Sequence, residues 1–135
     1  MARIMALDYG LRRTGIAVTD EFQIIASGLA TVPTTELLKY LEKYFGDENV
    51  ELVLVGEPKQ MDNTASQSEV SIGEFLLKFA EKFPKMEVKR VDERFTSKMA
   101  VRTMIDSGLS KKKRKDKALL DEISATIILQ TYLYK

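Results

Sequence analysis

The sequence predicts an α/β fold, a mixed five-stranded sheet with helices on both faces, and three observations carry the prediction. Three short apolar runs open the chain with only turn-length connections between them, which favours an antiparallel meander. Apolar runs and segments of helical periodicity then alternate, the pattern of βα units. One of those later runs, "VELVLVG", is apolar without alternation, as expected of a central strand covered on both faces.

Taken in order, "RIMAL" reads as a buried strand that ends near Asp8. "GIAVTD" and "IIASGLATV" read as the second and third strands, each bounded by turn residues. Pro33 and Thr34 introduce "TTELLKYLEKYF", whose Leu37, Leu38, Leu41, Tyr44 and Phe45 follow helical spacing, with Gly46 as the expected stop. After "VELVLVG" and the loop "EPKQMDNTA", Ser66 and Glu69 fit a capping box that opens "QSEVSIGEFLLKFAEKF", and Pro84 closes that helix. "MEVKRVDE" is the last strand. Thr96 can cap "SKMAVRTMIDS", which ends at Gly108, and after a basic loop "KALLDEISATIILQTYLYK" is the final helix. The order β-β-β-α-β-α-β-α-α is the topology of the ribonuclease H-like fold. Residues 1–135 form one such domain, since the length suits a single core and not two. There is no internal repeat and no low-complexity linker.

Composition narrows the chemistry. The chain is 44% hydrophobic and 30% charged, with a net charge of +1, which is the balance of a globular protein. It contains no cysteine and no histidine. That excludes disulfides, the usual zinc sites, Ser-His-Asp triads and imidazole acid–base catalysis. What remains is carboxylates, Lys, Arg, Tyr, hydroxyls, or a hard metal held by oxygen. No stretch approaches the roughly 20 apolar residues of a membrane span, and the opening "MARIMALDYG" does not read as an export signal. The expectation is a cytoplasmic protein.

Asp8 ends the first strand, Asp92 and Glu93 end the last, and Asp121 lies in the final helix with Ala125, Ile128 and Tyr132 as same-face neighbours. Each acid alone has a plainer role. Asp8 before "YG" suits a turn, Asp92-Glu93 suits a solvated turn paired to Arg94, and Asp121 suits the first turn of a helix. Together they suggest more. Carboxylates within about 4–6 Å repel and raise one another's pKa, and a divalent cation removes that penalty. With oxygen ligands only, Mg²⁺ or Mn²⁺ is the natural choice, and such an ion activates water against a phosphodiester. Periodicity does not choose between Asp92 and Glu93, which face opposite ways in a strand.

Four segments, "LDYGLRRTGIAVTD", "VLVGEPKQMDNT", "VDERFTSKMA" and "LLDEISATIILQTYL", occur in an order and spacing that resembles the YqgF, or RuvX-like, family of Holliday-junction resolvase-like proteins and pre-16S ribosomal RNA nucleases. The likeness runs from Ile4 to Leu133. It implies a metal-dependent nuclease in which Asp8, Glu93 (with Asp92 as the alternate) and Asp121 are catalytic and hold the metal. It also implies cytoplasmic processing of the 5′ end of the 16S precursor in ribosome biogenesis. Resolution of branched DNA is the alternative, and a homodimer is the expectation that accompanies it, because two strands are then cut. The chain departs from the family pattern at Glu57, where an apolar residue is usual, at Asn63 in place of Gly, and at Ser124 in place of a small apolar residue.

Basic residues supply a polyanion's counter-charge. Residues 111–117, "KKKRKDK", hold six of them in seven: Lys111, Lys112, Lys113, Arg114, Lys115 and Lys117. Such a run beside an acidic metal site recruits nucleic acid through its phosphates, although a solvated surface loop has the same composition. Arg12, Arg13 and Arg94 flank the acids and suit bidentate phosphate contacts, with surface ion pairing as their plainer role. The loop "GEPKQMDNTASQS" runs toward a helix N-terminus, a further phosphate site in principle. Phe95 and Met61 lie near enough in the chain to touch bases, though core packing suits both. Two other functions compete with a nuclease. A non-catalytic nucleic-acid-binding module would not gain from clustered acids. "DYG…TG" is also similar to the phosphate loop of actin-like ATPases, which need a second domain that this length does not supply.

Overall fold

A computed structural model of the chain describes residues 2–57, 69–92 and 117–134. The strands are β1 (Arg3–Asp8), β2 (Arg13–Thr19), β3 (Ala26–Pro33), β4 (Val50–Glu57) and β5 (Glu87–Asp92). The helices are α1 (Leu37–Asp47), α2 (Glu69–Lys82) and α3 (Lys117–Leu133). The sheet order is β3-β2-β1-β4-β5. The β3-β2-β1 meander is antiparallel, while β4 runs parallel to both β1 and β5. This is the expected mixed five-stranded sheet. The expected helix over "SKMAVRTMIDS" and the Ser66 cap lie outside the described residues.

Strand alternation sorts the core into two layers. Met5 and Leu7 of β1, Ile16 and Val18 of β2, and Val53 and Val55 of β4 point to one face, where Leu37 and Leu41 of α1 and Ile72, Phe75 and Phe79 of α2 cover them. Ile4, Ala6, Ala17, Leu52 and Leu54 point to the other, under Ala125, Ile128 and Leu129 of α3. β4 is internal and apolar on both sides, as its unbroken run requires.

Local differences from the sequence reading have local causes. The third strand begins at Ala26 and not at Ile24, because Ile24 and Ile25 are exposed and their N–H groups donate to the Asp20 carboxylate at 2.8 Å each, closing the β2–β3 turn. Thr34–Glu36 form a 3₁₀ turn ahead of α1. The Glu69 carboxylate grips the Arg90 guanidinium at 2.7 and 2.9 Å, tying α2 to β5. Gly46 does not stop α1. The helix continues through Asp47, and the chain leaves it at Glu48, whose backbone is extended at φ −128° and whose N–H still donates to the Tyr44 carbonyl. A glycine inside a helix is destabilising relative to alanine, and a Cβ at Gly46 would meet nothing within 4 Å. Gly46→Ala should therefore raise the unfolding free energy by about 0.5–1 kcal/mol, read as a higher urea midpoint at unchanged slope; a lower midpoint would mean the residue does serve as a stop.

Candidate active site

The C-terminal end of β1 delivers Asp8. It follows Ile4 and Ala6 in the alternation, so its side chain belongs to the α3 face. The next residue, Tyr9, turns to the opposite face, where its ring packs on Phe75 with centroids 5.0 Å apart. Burial, with the nearby Glu74 carboxylate adding to it, pushes the Tyr9 hydroxyl above its ordinary pKa, so it stays a neutral phenol.

Across the ladder from Asp8 stands Gly15. A Cβ built there would lie 2.0 Å from the Asp121 carbonyl oxygen and 3.0 Å from the Asp121 Cβ. The backbone of α3 thus rests directly on β2 at the residue that neighbours Asp8. This brings Asp8 and Asp121, 113 positions apart in the chain by their numbering, to one end and one face of the sheet. Asp121 is the fifth residue of α3, past the first turn, so an acid favoured only by the helix N-terminus does not describe it. Ala125 and Ile128 on its face are buried and Tyr132 packs beside them, as the spacing implied.

The start of α3 is held from a second side by the Thr31 hydroxyl, which donates to the Ala118 carbonyl at 2.6 Å. The turn between β1 and β2 is also fixed. The Thr34 hydroxyl donates to the Gly10 carbonyl at 2.6 Å, and the Thr34 N–H donates to the Arg12 carbonyl at 3.0 Å. Thr14, fully buried, shares a 3.0 Å hydrogen bond with the same Thr34 hydroxyl.

Arg12 is exposed on that turn, where a phosphate could reach it. Arg13 is different. It shares the alternation of Gly15 and Ala17, so it lies on the α3 face, and its Nε donates to the Asp121 carboxylate. Both partners are partly shielded, the side chains 38% and 20% exposed. The ion pairing foreseen as the plainer role of Arg13 is what the structure shows, with a candidate metal ligand as its partner.

Asp92 falls elsewhere. It follows Val88 and Arg90 in β5 and pairs in register with Glu57, which follows Val53 and Val55 in β4; the alternation puts both on the face covered by α1 and α2. Asp92 is therefore on the opposite face from Asp8. Glu93, Arg94, Phe95, Met61, Asn63 and residues 111–115 lie outside the described residues, as does the side chain of Lys117, which begins α3. Among the described residues no group of three acids is close enough to enclose a metal ion. Asp8 and Asp121, which share one end and one face of the sheet, carry hard oxygen donors that fit Mg²⁺ or Mn²⁺ in kind.

Two features of this site were missed by sequence reasoning. Gly15 was read as the first residue of the second strand and given no further role, although a glycine inside a strand is a recognised sign of close backbone approach. The Arg13–Asp121 pair spans the chain from one end to the other and left no local signal.

Comparison with known proteins adds a family. The model of the RuvX family, described as Holliday junction resolvase, matches residues 2–135. A protein of Christiangramia forsetii is 72% identical over the full length of both chains. One of Flavobacterium johnsoniae is 62% identical, covering 98% of this chain and 96% of its own. One of Bacteroides thetaiotaomicron is 56% identical with the same coverage. All three bear the name "Putative pre-16S rRNA nuclease".

The Gly15 contact has a measurable consequence. Gly15→Ala forces α3 off the sheet or distorts β2, a clash of backbone against Cβ that no rotamer relieves. It should lower stability by about 3 kcal/mol or prevent folding, whereas Gly28→Ala, whose Cβ would stand 3.4 Å from Glu122 side-chain atoms, should be far milder. Equal urea midpoints for the two variants would contradict this packing.

Proposed function

The chain belongs to the RuvX family, and from that premise we propose that it is a divalent-metal-dependent endonuclease that hydrolyses phosphodiester bonds in structured nucleic acid, with the 5′ end of the 16S ribosomal RNA precursor as its substrate. The names of the relatives support the RNA substrate. The observation that carries the site is the convergence of Asp8 and Asp121 on one face, across Gly15. Carboxylates carried to one end and one face of a sheet by a strand and a helix offer a divalent ion oxygen ligands from two elements.

Asp8 and Asp121 would hold the ion, and Glu93 is the third ligand we assign, since Asp92 falls on the other face. When bound, Mg²⁺ or Mn²⁺ supplies Lewis-acid polarisation of the phosphodiester and a water acidic enough to attack it. The carboxylates orient that ion from a strand end and a helix, both fixed by packing, so the acids need little rearrangement to bind it. Arg12, exposed on the tethered turn, contacts backbone phosphates and sets the position of the strand without reading its sequence. The basic residues Lys111, Lys112, Lys113, Arg114, Lys115 and Lys117, together with Arg94, extend that attraction beyond the site. No helix among the described residues is long and apolar enough to cross a membrane, and a role in ribosome biogenesis belongs to the cytoplasm.

The family's description favours a second reading, cleavage of branched DNA, which would call for a homodimer. Both are tested with one preparation. Purified protein with Mn²⁺ should shorten a precursor-16S leader, and Asp8→Asn and Asp121→Asn should each slow cleavage by roughly 100-fold, about 3 kcal/mol of lost transition-state stabilisation. Binding of the leader should change by only a few-fold. Cleavage of a four-way DNA junction in preference to the leader would select the second reading, and undiminished cleavage by both Asn variants would reject a nuclease built on these acids.

A further inference from the structure

Resting on that nuclease reading for its ligand, we propose that the cavity beside the end of β1, on the α1 and α2 face, takes an unpaired guanine of the bound strand, with Glu74 on its N–H edge and Lys78 on its O6. Three observations lead there. The first is the cavity itself, of about 310 Å³, with Tyr9, Leu11, Leu38 and Phe75 as apolar wall and Glu74 and Lys78 of α2 in its lining. Leu11 is 67% exposed, so that wall is open to an incoming base.

The second is that its polar groups are unspent. Thr34, in the same lining, is engaged by Gly10 and Thr14. Among the described residues, the hydroxyls of Tyr9, Thr35 and Ser71 and the charged ends of Glu74 and Lys78 make no hydrogen bond or ion pair. Glu74 and Lys78 stand four apart on one helix, the spacing at which opposite charges pair across a turn, and they are not joined. The third is position. Tyr9 directly follows Asp8, and Leu11 directly precedes Arg12. The cavity therefore opens between the acid assigned to the metal and the arginine assigned to a phosphate.

The donor and acceptor pattern selects the base. An ionised carboxylate only accepts, through two oxygens, and an ammonium only donates. Among the common bases guanine alone presents two adjacent N–H donors on its pairing edge, enough for both carboxylate oxygens, with O6 beside them as an acceptor for the lysine. Adenine and cytosine offer the carboxylate one amino group, and uracil one ring N–H. That edge is occupied in a duplex, so the guanine must be unpaired, the state in which proteins read RNA bases. Stacking on an aromatic ring adds affinity for any base, and Tyr9 supplies the ring as a neutral phenol.

The test follows labelled oligonucleotides by fluorescence anisotropy on the full chain, with EDTA present so that nothing is cut. Three probes are compared: a uridine oligomer, the same with one central guanosine, and the same with inosine there, which lacks the guanine N2 amino group. Wild type should bind the guanosine probe roughly fivefold more tightly than either other. Glu74→Gln should abolish that preference and leave the uridine probe at its wild-type affinity. Lys78→Met should weaken the guanosine probe more than the uridine probe. Equal affinity of wild type for guanosine and inosine, a preference that survives Glu74→Gln, or equal weakening of both probes by Lys78→Met, the mark of a phosphate contact, overturns the assignment. Guanosine 5′-monophosphate should displace the probe only at concentrations far above those of unlabelled oligomer. Displacement at equal concentrations gives the cavity to a free nucleotide and overturns the strand. The preference should persist in Asp8→Asn, since no metal is present. If the Asn variants cleave as wild type does while the preference holds, the nuclease reading falls and the guanine site stands; if they lose cleavage and wild type shows no preference, only the guanine site falls.

Discussion

The structure depends on one backbone contact, the seating of α3 on β2 at Gly15. A helix normally rides on a sheet at a distance set by its side chains. Here the absence of a Cβ lets the Asp121 carbonyl come down onto the strand, and small residues on the same face, Ala6 and Ala17, keep the approach close. The height and phase of the helix are fixed by this contact, and with them the placement of Asp121 at the same end and face of the sheet as Asp8. Burial of Ile127, Ile128 and Leu129 further along α3, worth about 1.5–3 kcal/mol each, is enough to offset the several kcal/mol that partial desolvation of a charged group costs. The helix can thus carry an acid into a packed face without being repelled from it.

The two faces of the sheet divide the labour. On the α1 and α2 side the core is built from large groups, with Phe45, Phe79 and Phe83 in edge-on and tilted contacts 4.9 to 6.3 Å apart. That layer is thick and apolar, and it holds the strands in register. On the α3 side the layer is thin near the site because its residues are small. Side chains of one strand serve both purposes: Met5 and Leu7 pack into the thick layer while Asp8, one residue on, belongs to the thin one.

Much of this was legible in the sequence, for identifiable reasons. The meander follows from connections too short for crossovers, and the internal place of β4 follows from a run apolar on both parities. Asp8 stood out because it ends a buried strand, and a turn role suited it equally well until the other acids were set beside it. Asp121 stood out because its helical neighbours are apolar, and α3 does pack on that face. Illegible features were those set by non-local contact. Whether Gly46 ends a helix depends on where β4 begins to pull the chain away. Asp92 and Glu93 are equivalent until the pairing of β5 with β4 assigns a parity, which then puts Asp92 with Glu57 on the far face. Gly15 carried a usable sign, a glycine inside a strand, which strand assignment alone did not exploit.

Arg13 shows why residue type alone could not settle its role. An arginine beside a presumed phosphate site is read as a phosphate ligand because the planar fork suits that partner. A carboxylate suits it equally well, and the sequence holds 20 Asp and Glu residues with no local indication of which one would be near. The decision comes from parity and contact together. Arg13 is two residues from Gly15, so it faces the same way. The helix that rests on Gly15 brings Asp121 within reach of it. The same contact that creates the pair of acids therefore supplies a cation to one of them. The two acids proposed to be catalytic and the arginine bonded to one of them are then not separate features of this fold. Both follow from one glycine, in one strand, under one turn of helix.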